Sequence, residues 1–129
     1  MSGETDLATL LASMEPALRP GEYVFVAAGD LDVREAEATV REQEGLSAVV
    51  ARERADALGL DYDFVAAWIT LRVHSALEAV GLTPAVSRAL ADAGLSCNVI
   101  AGLRRDHLLV PAERAEEALR VLRELSSGG

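Results

Sequence analysis

The stretch Trp68–Pro111 reads WITLRVHSALEAVGLTPAVSRALADAGLSCNVIAGLRRDHLLVP. Ile69, Leu71 and Val73 alternate with Thr70, Arg72 and His74, the period-2 pattern of a strand with one buried face. Thr83 then stands as a helix N-cap with Pro84 at the first helical position. Val86, Ala89, Leu90 and Ala93 fall at i, i+3, i+4 and i+7, an apolar helical stripe. Gly94 ends that helix as a residue able to take positive φ. Leu95–Ala101 reads as a second strand, with Leu95, Cys97 and Val99 on one face and Asn98 and Ile100 on the other. Gly102–Asp106 is a polar turn, His107–Val110 a short third strand, and Pro111 opens a last helix. The order strand, helix, strand, strand, helix is most of a ferredoxin-like unit.

Working outward, Leu7, Leu10, Leu11 and Met14 predict an amphipathic helix over 5–14, capped by Thr5 or Asp6. Pro16 and Pro20-Gly21 bracket the turn after it. Tyr23–Ala28 is a continuous apolar run, read as a strand buried on both faces. Asp32–Gln43 carries Val33, Ala36 and Val40 on one side and predicts a helix capped by Asp32 and ended by Gly45. Leu46–Val50 reads as a strand and Ala51–Leu58 as a short helix stopped by Gly59. In the last helix Ala115, Ala118, Leu119, Leu122 and Leu125 face inward. Glu113, Glu116 and Glu117 lie toward its positive end, and Arg120 and Arg123 toward its negative end, which suits the helix dipole.

The second half supplies only three strands, and four residues remain after its last helix. The missing strand must therefore come from the first half or from another subunit, and Tyr23–Ala28 is the expected source. We expect an α+β protein of two interlocked halves, 1–64 and 65–129, with antiparallel sheets and helices on one face.

Composition narrows the function. The 129 residues carry a net charge of −9. All of that excess lies in residues 1–64, with 14 acidic and 5 basic side chains, while 65–129 carries 7 of each. An acidic surface repels phosphate backbones, so no nucleic-acid partner is expected. No apolar run reaches the ~18 residues of a membrane span, and no secretory leader is visible, so the expected compartment is the cytoplasm. A single cysteine excludes an internal disulfide framework. There is no lysine, which excludes a lysine Schiff base and a P-loop lysine.

These residues resemble the ACT domains, in particular small bacterial stand-alone proteins of two tandem ACT-like halves and unknown function. The resemblance rests on His74-Ser75-Ala76-Leu77-Glu78-Ala79-Val80-Gly81-Leu82-Thr83, on Ala93-Gly94-Leu95-Ser96-Cys97-Asn98-Val99-Ile100-Ala101-Gly102 and on Asp106-His107. In the first half Tyr23-Val24-Phe25 and Glu42-Gln43-Glu44-Gly45-Leu46-Ser47 extend it. Arg105 departs from the pattern, since such proteins often carry a second His there. By resemblance, an amino-acid effector sits at the first strand-to-helix loop, against the second strand of a neighbouring domain. The matching residues are Val80, Gly81, Leu82 and Thr83 in the loop, and Cys97, Asn98 and Val99 on the strand. The resemblance further implies a ferredoxin-like fold, a regulatory role without catalysis, a small-molecule ligand and a homo-oligomer, expected to be a dimer.

The residues themselves leave two readings of this site. Gly81 admits a ligand close to the backbone, the helix N-terminus favours a carboxylate, and Asn98 offers both donor and acceptor. Equally, Gly81 makes a tight turn, and Asn98 satisfies a backbone group or an interface. Cys97 with His74 or His107 is a candidate nucleophile–base pair, against which Cys97 shares a face with core residues. His74 and Asp106-His107 are too few for a metal site. We expect no catalytic residue, metal or cofactor.

Overall fold

The computed structural model describes residues 6–73 and 81–128, and the chain divides into two compact units. One is residues 20–66; the other joins residues 1–19 to 67–129. In chain order the elements are α1 (Leu7–Ser13), β1 (Glu15–Leu18), β2 (Tyr23–Ala27), β3 (Ala38–Glu42), β4 (Gly45–Ala51), α2 (Arg52–Ala57), β5 (Val65–Arg72), α3 (Leu82–Asp92), β6 (Asn98–Ala101), β7 (Asp106–Pro111) and α4 (Ala115–Ser126). Single 3-10 turns precede β3 (Val33–Glu35) and α4 (Ala112–Arg114). The unit boundary falls inside β5.

In the discontinuous unit the strand order is β1-β5-β7-β6, with β1·β5 and β6·β7 antiparallel. Ala67, Ile69 and Leu71 of β5 alternate onto one face and meet Leu108 and Val110 of β7. Leu10 and Met14, Leu82, Val86 and Leu90 of α3, and Ala118, Leu119 and Leu122 of α4 close that core. The helices thus share one face of the sheet, and the apolar stripes read in the sequence are the buried ones. Asp6 caps α1, its carboxylate accepting from the Thr9 N–H at 3.1 Å.

The strand that lies along Ile69–Arg72 of β5 is β1, whereas Tyr23–Ala27, the expected strand, reaches β5 only at Val65 and Ala66. Glu15 pairs with Arg72 and Leu18 with Ile69. Pro16 makes a turn the expectation for this stretch, yet a proline fits an outer strand, where a missing N–H breaks no ladder. Pro16 is buried opposite Leu71.

In residues 20–66, β2 pairs with β4 along its whole length and with Val65 and Ala66 at the start of β5. Among the described residues β3 pairs only with β4. Val24, Val26, Ala28, Ala48, Val50 and Ala55 form a core of small side chains. The helix expected over Asp32–Gln43 is absent. Asp32 does cap, its carboxylate accepting from the Arg34 N–H at 3.0 Å, but the turn stops at Glu35. β3 follows instead, and its Thr39-Val40 pair suits a strand better than a helix. Gln43-Glu44 make the hairpin turn, and Gly45, expected to end a helix, is the first residue of β4 at φ +136°.

Candidate functional site

Helix α3 begins at Leu82 and is capped by Gly81 at φ +106°, not by Thr83. Burying Leu82 in the core draws the start two residues earlier. Pro84 tolerates this, because its missing N–H is among those that a first turn leaves without intrahelical partners. The positive φ calls for glycine here, and a Cβ on Gly81 would lie 3.1 Å from Leu7 Cδ2, so that Leu7 would have to give by a few tenths of an ångström. Among the described residues no side chain caps the helix, and the N–H groups of Leu82 and Thr83 have no intrahelical acceptor.

The expected ligand residues divide by environment. Val80, like His74, lies outside the described residues. Leu82 belongs to the core, and Cys97 and Val99 pack against it. Thr83 and Asn98 are exposed. Asn98 opens β6, paired with Leu109, and β6 is the outermost strand of its sheet. One edge of β6 therefore presents backbone groups that no other described strand pairs. Burial pushes the Cys97 thiol up to about 11, so it stays protonated and weakly nucleophilic at neutral pH.

A second constellation lies on the sheet face opposite the helices. Trp68, Thr70 and His107 meet there. Trp68 Nε1 donates to Thr70 Oγ1 at 3.2 Å and to His107 Nδ1 at 3.3 Å. An indole N–H only donates, so Nδ1 must accept and the neutral ring carries its proton on Nε2. The Thr70 hydroxyl, 3.0 Å from Nδ1, then donates to it. Arg19 lies 4.2 Å over the Trp68 ring, a cation–π contact. Burial first, and then the charge of Arg19, hold His107 below its usual imidazole range. Burial raises the neighbouring Asp106 carboxyl. Trp68-x-Thr70 on one strand face was the signal in the sequence; His107 as their partner required the β5–β7 pairing. No group of three or more His, Cys, Asp or Glu among the described residues is placed to hold a metal ion.

The third feature belongs to residues 20–66. An open groove of about 310 Å³ runs beside β2 and the β3–β4 hairpin, lined by residues including Phe25, Glu42, Glu44, Gly45, Leu46 and Ser47. Five of these six fall in the Glu42–Ser47 motif, in which the sequence predicts a helix end up to Gly45 and a strand from Leu46.

This fold, twice a small antiparallel sheet with helices, defines the class. Residues 2–67 and residues 64–124 each match an ACT-domain family, and the chain belongs to the ACT-domain proteins. It is 46% identical to a Vibrio cholerae protein of unknown function, described as a possible transport protein, with a TM-score of 0.83 over 93% of this chain and 95% of that one. An Agrobacterium tumefaciens protein superposes with a TM-score of 0.71 at 19% identity, over 88% and 89% of the two chains. The ligand-free regulatory subunit of aspartate kinase from Thermus thermophilus superposes with a TM-score of 0.65 at 14% identity, over 89% and 97%. No protein of curated function matches. No helix among the described residues is long and apolar enough to cross a membrane.

Proposed function

We propose that this ACT-domain protein is a non-catalytic sensor of a small molecule, most simply an amino acid, that works as a homodimer. The ligand carboxylate takes the Leu82 and Thr83 N–H groups at the start of α3. Asn98 contacts the ligand from β6 of the neighbouring copy. The observation that carries this reading is the exposed Asn98 at the head of a strand edge that no described strand pairs, in the same unit as a helix start that no described side chain caps. Leu7 already lies against Gly81, so the carboxylate addresses the next two N–H groups rather than Gly81 itself. The protonated Cys97 thiol supports a binding role over a nucleophilic one. The likeness in fold to an aspartate kinase regulatory subunit supports a regulatory role.

A thermal-shift and calorimetric screen of the amino acids tests this reading, with the oligomeric state followed by light scattering. Asn98→Ala keeps the backbone and removes one polar partner, so it should weaken binding about ten- to a hundredfold. An unchanged affinity in a folded, dimeric variant would remove Asn98 from the site. A dimer that binds no amino acid favours a second reading, pure assembly through the open β6 edge. A monomer overturns both.

A further inference from the structure

We propose that the groove beside β2 and the β3–β4 hairpin binds a small organic cation, a primary ammonium or guanidinium on a short apolar body. Its carbon frame lies against Phe25, and its charged head turns toward Glu42 and Glu44.

Paired residues across an antiparallel ladder share a face, so Phe25 with Val49, and Ala27 with Ser47, lie on one side of the sheet. Val40 and Glu42 join them from β3 through their pairing with Ser47 and Gly45. The core residues Val24, Val26, Ala48 and Val50 occupy the other side. Part of the first face is open: Phe25 is 40% and Val40 58% exposed, while Val49 on the same face is buried. A volume of about 310 Å³ stands at the lower end of small-ligand pockets.

Charge selects the occupant. Residues 20–66 hold eleven acidic and four basic side chains, a net of −7. Arg34, Arg52 and Arg54 are paired with Asp32, Glu22 and Glu35, away from the groove. Arg41 is adjacent to Glu42 in β3 and so points to the opposite face. Among the described residues Glu42 and Glu44 have no ion-pair or hydrogen-bond partner. Two unneutralised carboxylates beside an exposed aromatic ring favour a cation over a neutral or anionic ligand. They also disfavour a free amino acid, whose own carboxylate would be repelled. This site is therefore separate in place and in chemistry from the one at α3 and β6.

The test titrates the full chain with phenethylamine, as its ammonium ion, and with neutral 2-phenylethanol, reading backbone amide shifts by NMR. Saturable shifts confined to residues 25–27 and 42–47 are expected with the amine, weakening as salt is raised. The double variant Glu42→Gln/Glu44→Gln keeps shape at two exposed positions and should reduce affinity roughly tenfold, as should Phe25→Ala. No shift up to about 10 mM amine, where even millimolar affinity would register, overturns the proposal. Equal shifts with the alcohol, or an unchanged affinity in the Gln variant, overturn its charge selectivity. Shifts at these residues that follow protein concentration without amine would give the groove to a second copy instead. An amino-acid screen read at Asn98 is unaffected by any of these outcomes.

Discussion

The two units run the same course of strands but differ in what covers them. The discontinuous unit lays three helices on its sheet, and its core is built of large side chains, among them Leu10, Ile69, Leu90, Leu108 and Leu122. In residues 20–66 a single turn, Val33–Glu35, stands where the other unit has α3, and the core is of valine and alanine. A large core and a long α3 give a firm frame to the Gly81–Asn98 region. A small core and an exposed Phe25–Val40 face leave the other unit with open apolar surface and most of the net negative charge. The same course of strands, covered by one helix (α2) instead of three, thus presents a different surface to ligands.

The largest test of this contrast is to take away the part of the larger unit that lies far off in sequence. A fragment of residues 65–129 lacks α1 and β1. It would bare the β5 edge that pairs with Glu15–Leu18 and the space filled by Leu10 and Met14. It also loses the hydrogen bond from Ser126 Oγ to the Met14 carbonyl at 2.8 Å. We expect no cooperative thermal transition and poor amide dispersion. A sharp transition would show that the α1–β1 segment is dispensable.

Next in size is a pair of core truncations. Leu122 and Val50 are both fully buried, one in each core. Leu122→Ala should cost about 2–5 kcal/mol, and Val50→Ala roughly 1.5–2.5 kcal/mol, for two methyl groups. Both are read by denaturant unfolding of the full chain. Equal costs would mean that the difference between the cores does not govern stability.

Two hairpin and loop glycines sharpen the comparison further. Gly81 and Gly45 both have positive φ, but a Cβ meets Leu7 at 3.1 Å in the first and nothing within 4 Å in the second. Gly45→Ala should cost about 1–2 kcal/mol for backbone strain alone. Gly81→Ala should cost more, by whatever it takes to move Leu7. If the two are equal, Leu7 yields freely and α1 does not clamp the start of α3.

How much of this was legible in the sequence varies between the units for a physical reason. Where an amphipathic helix covers a strand, as with α3 and α4 over β5 and β7, both periods are written in large apolar residues, and the reading held. Residues 32–43 carry only Val33, Ala36 and Val40 as apolar signal, and a helix and a hairpin explain those three equally well. The pairing of β3 with β4 decided it, and that is a contact no local pattern reports. β1 was hidden by Pro16, whose tolerance depends on being an outer strand. At the site, the glycine and the position of Asn98 on its strand could be read. The shift of the helix start to Leu82 could not, because it follows from burying that side chain in a core assembled from residues far off in sequence. The Trp68–Thr70–His107 network likewise needed the strand order before its members could be joined.

The smallest expected effect is a pH dependence that belongs to one unit alone, through His107 and Asp106. His107 is held below its ordinary value of 6.5, by burial first and then by Arg19. The unfolded chain therefore binds more protons than the folded one between the folded pKa and 6.5, and in that window stability rises with pH. The stabilisation from neutral His107 is complete above 6.5 and is lost as pH falls toward the folded pKa. Asp106 works in the opposite sense. Burial raises its carboxyl above 3.8, so the folded state keeps its proton longer, and that contribution is lost as pH rises through the folded value. Denaturant midpoints between pH 7.5 and 5.5 isolate the histidine, and His107→Asn is the control. Its amide oxygen can stand in for Nδ1 as acceptor from Trp68 and Thr70, but it does not titrate. The native chain should lose stability on acidification relative to this variant, by a modest amount because His107 is partly exposed. Parallel profiles would show that protonation of the ring is accommodated without breaking the Trp68 bond. A native chain that gains stability on acidification would reverse the sign and place an anion near Nε2.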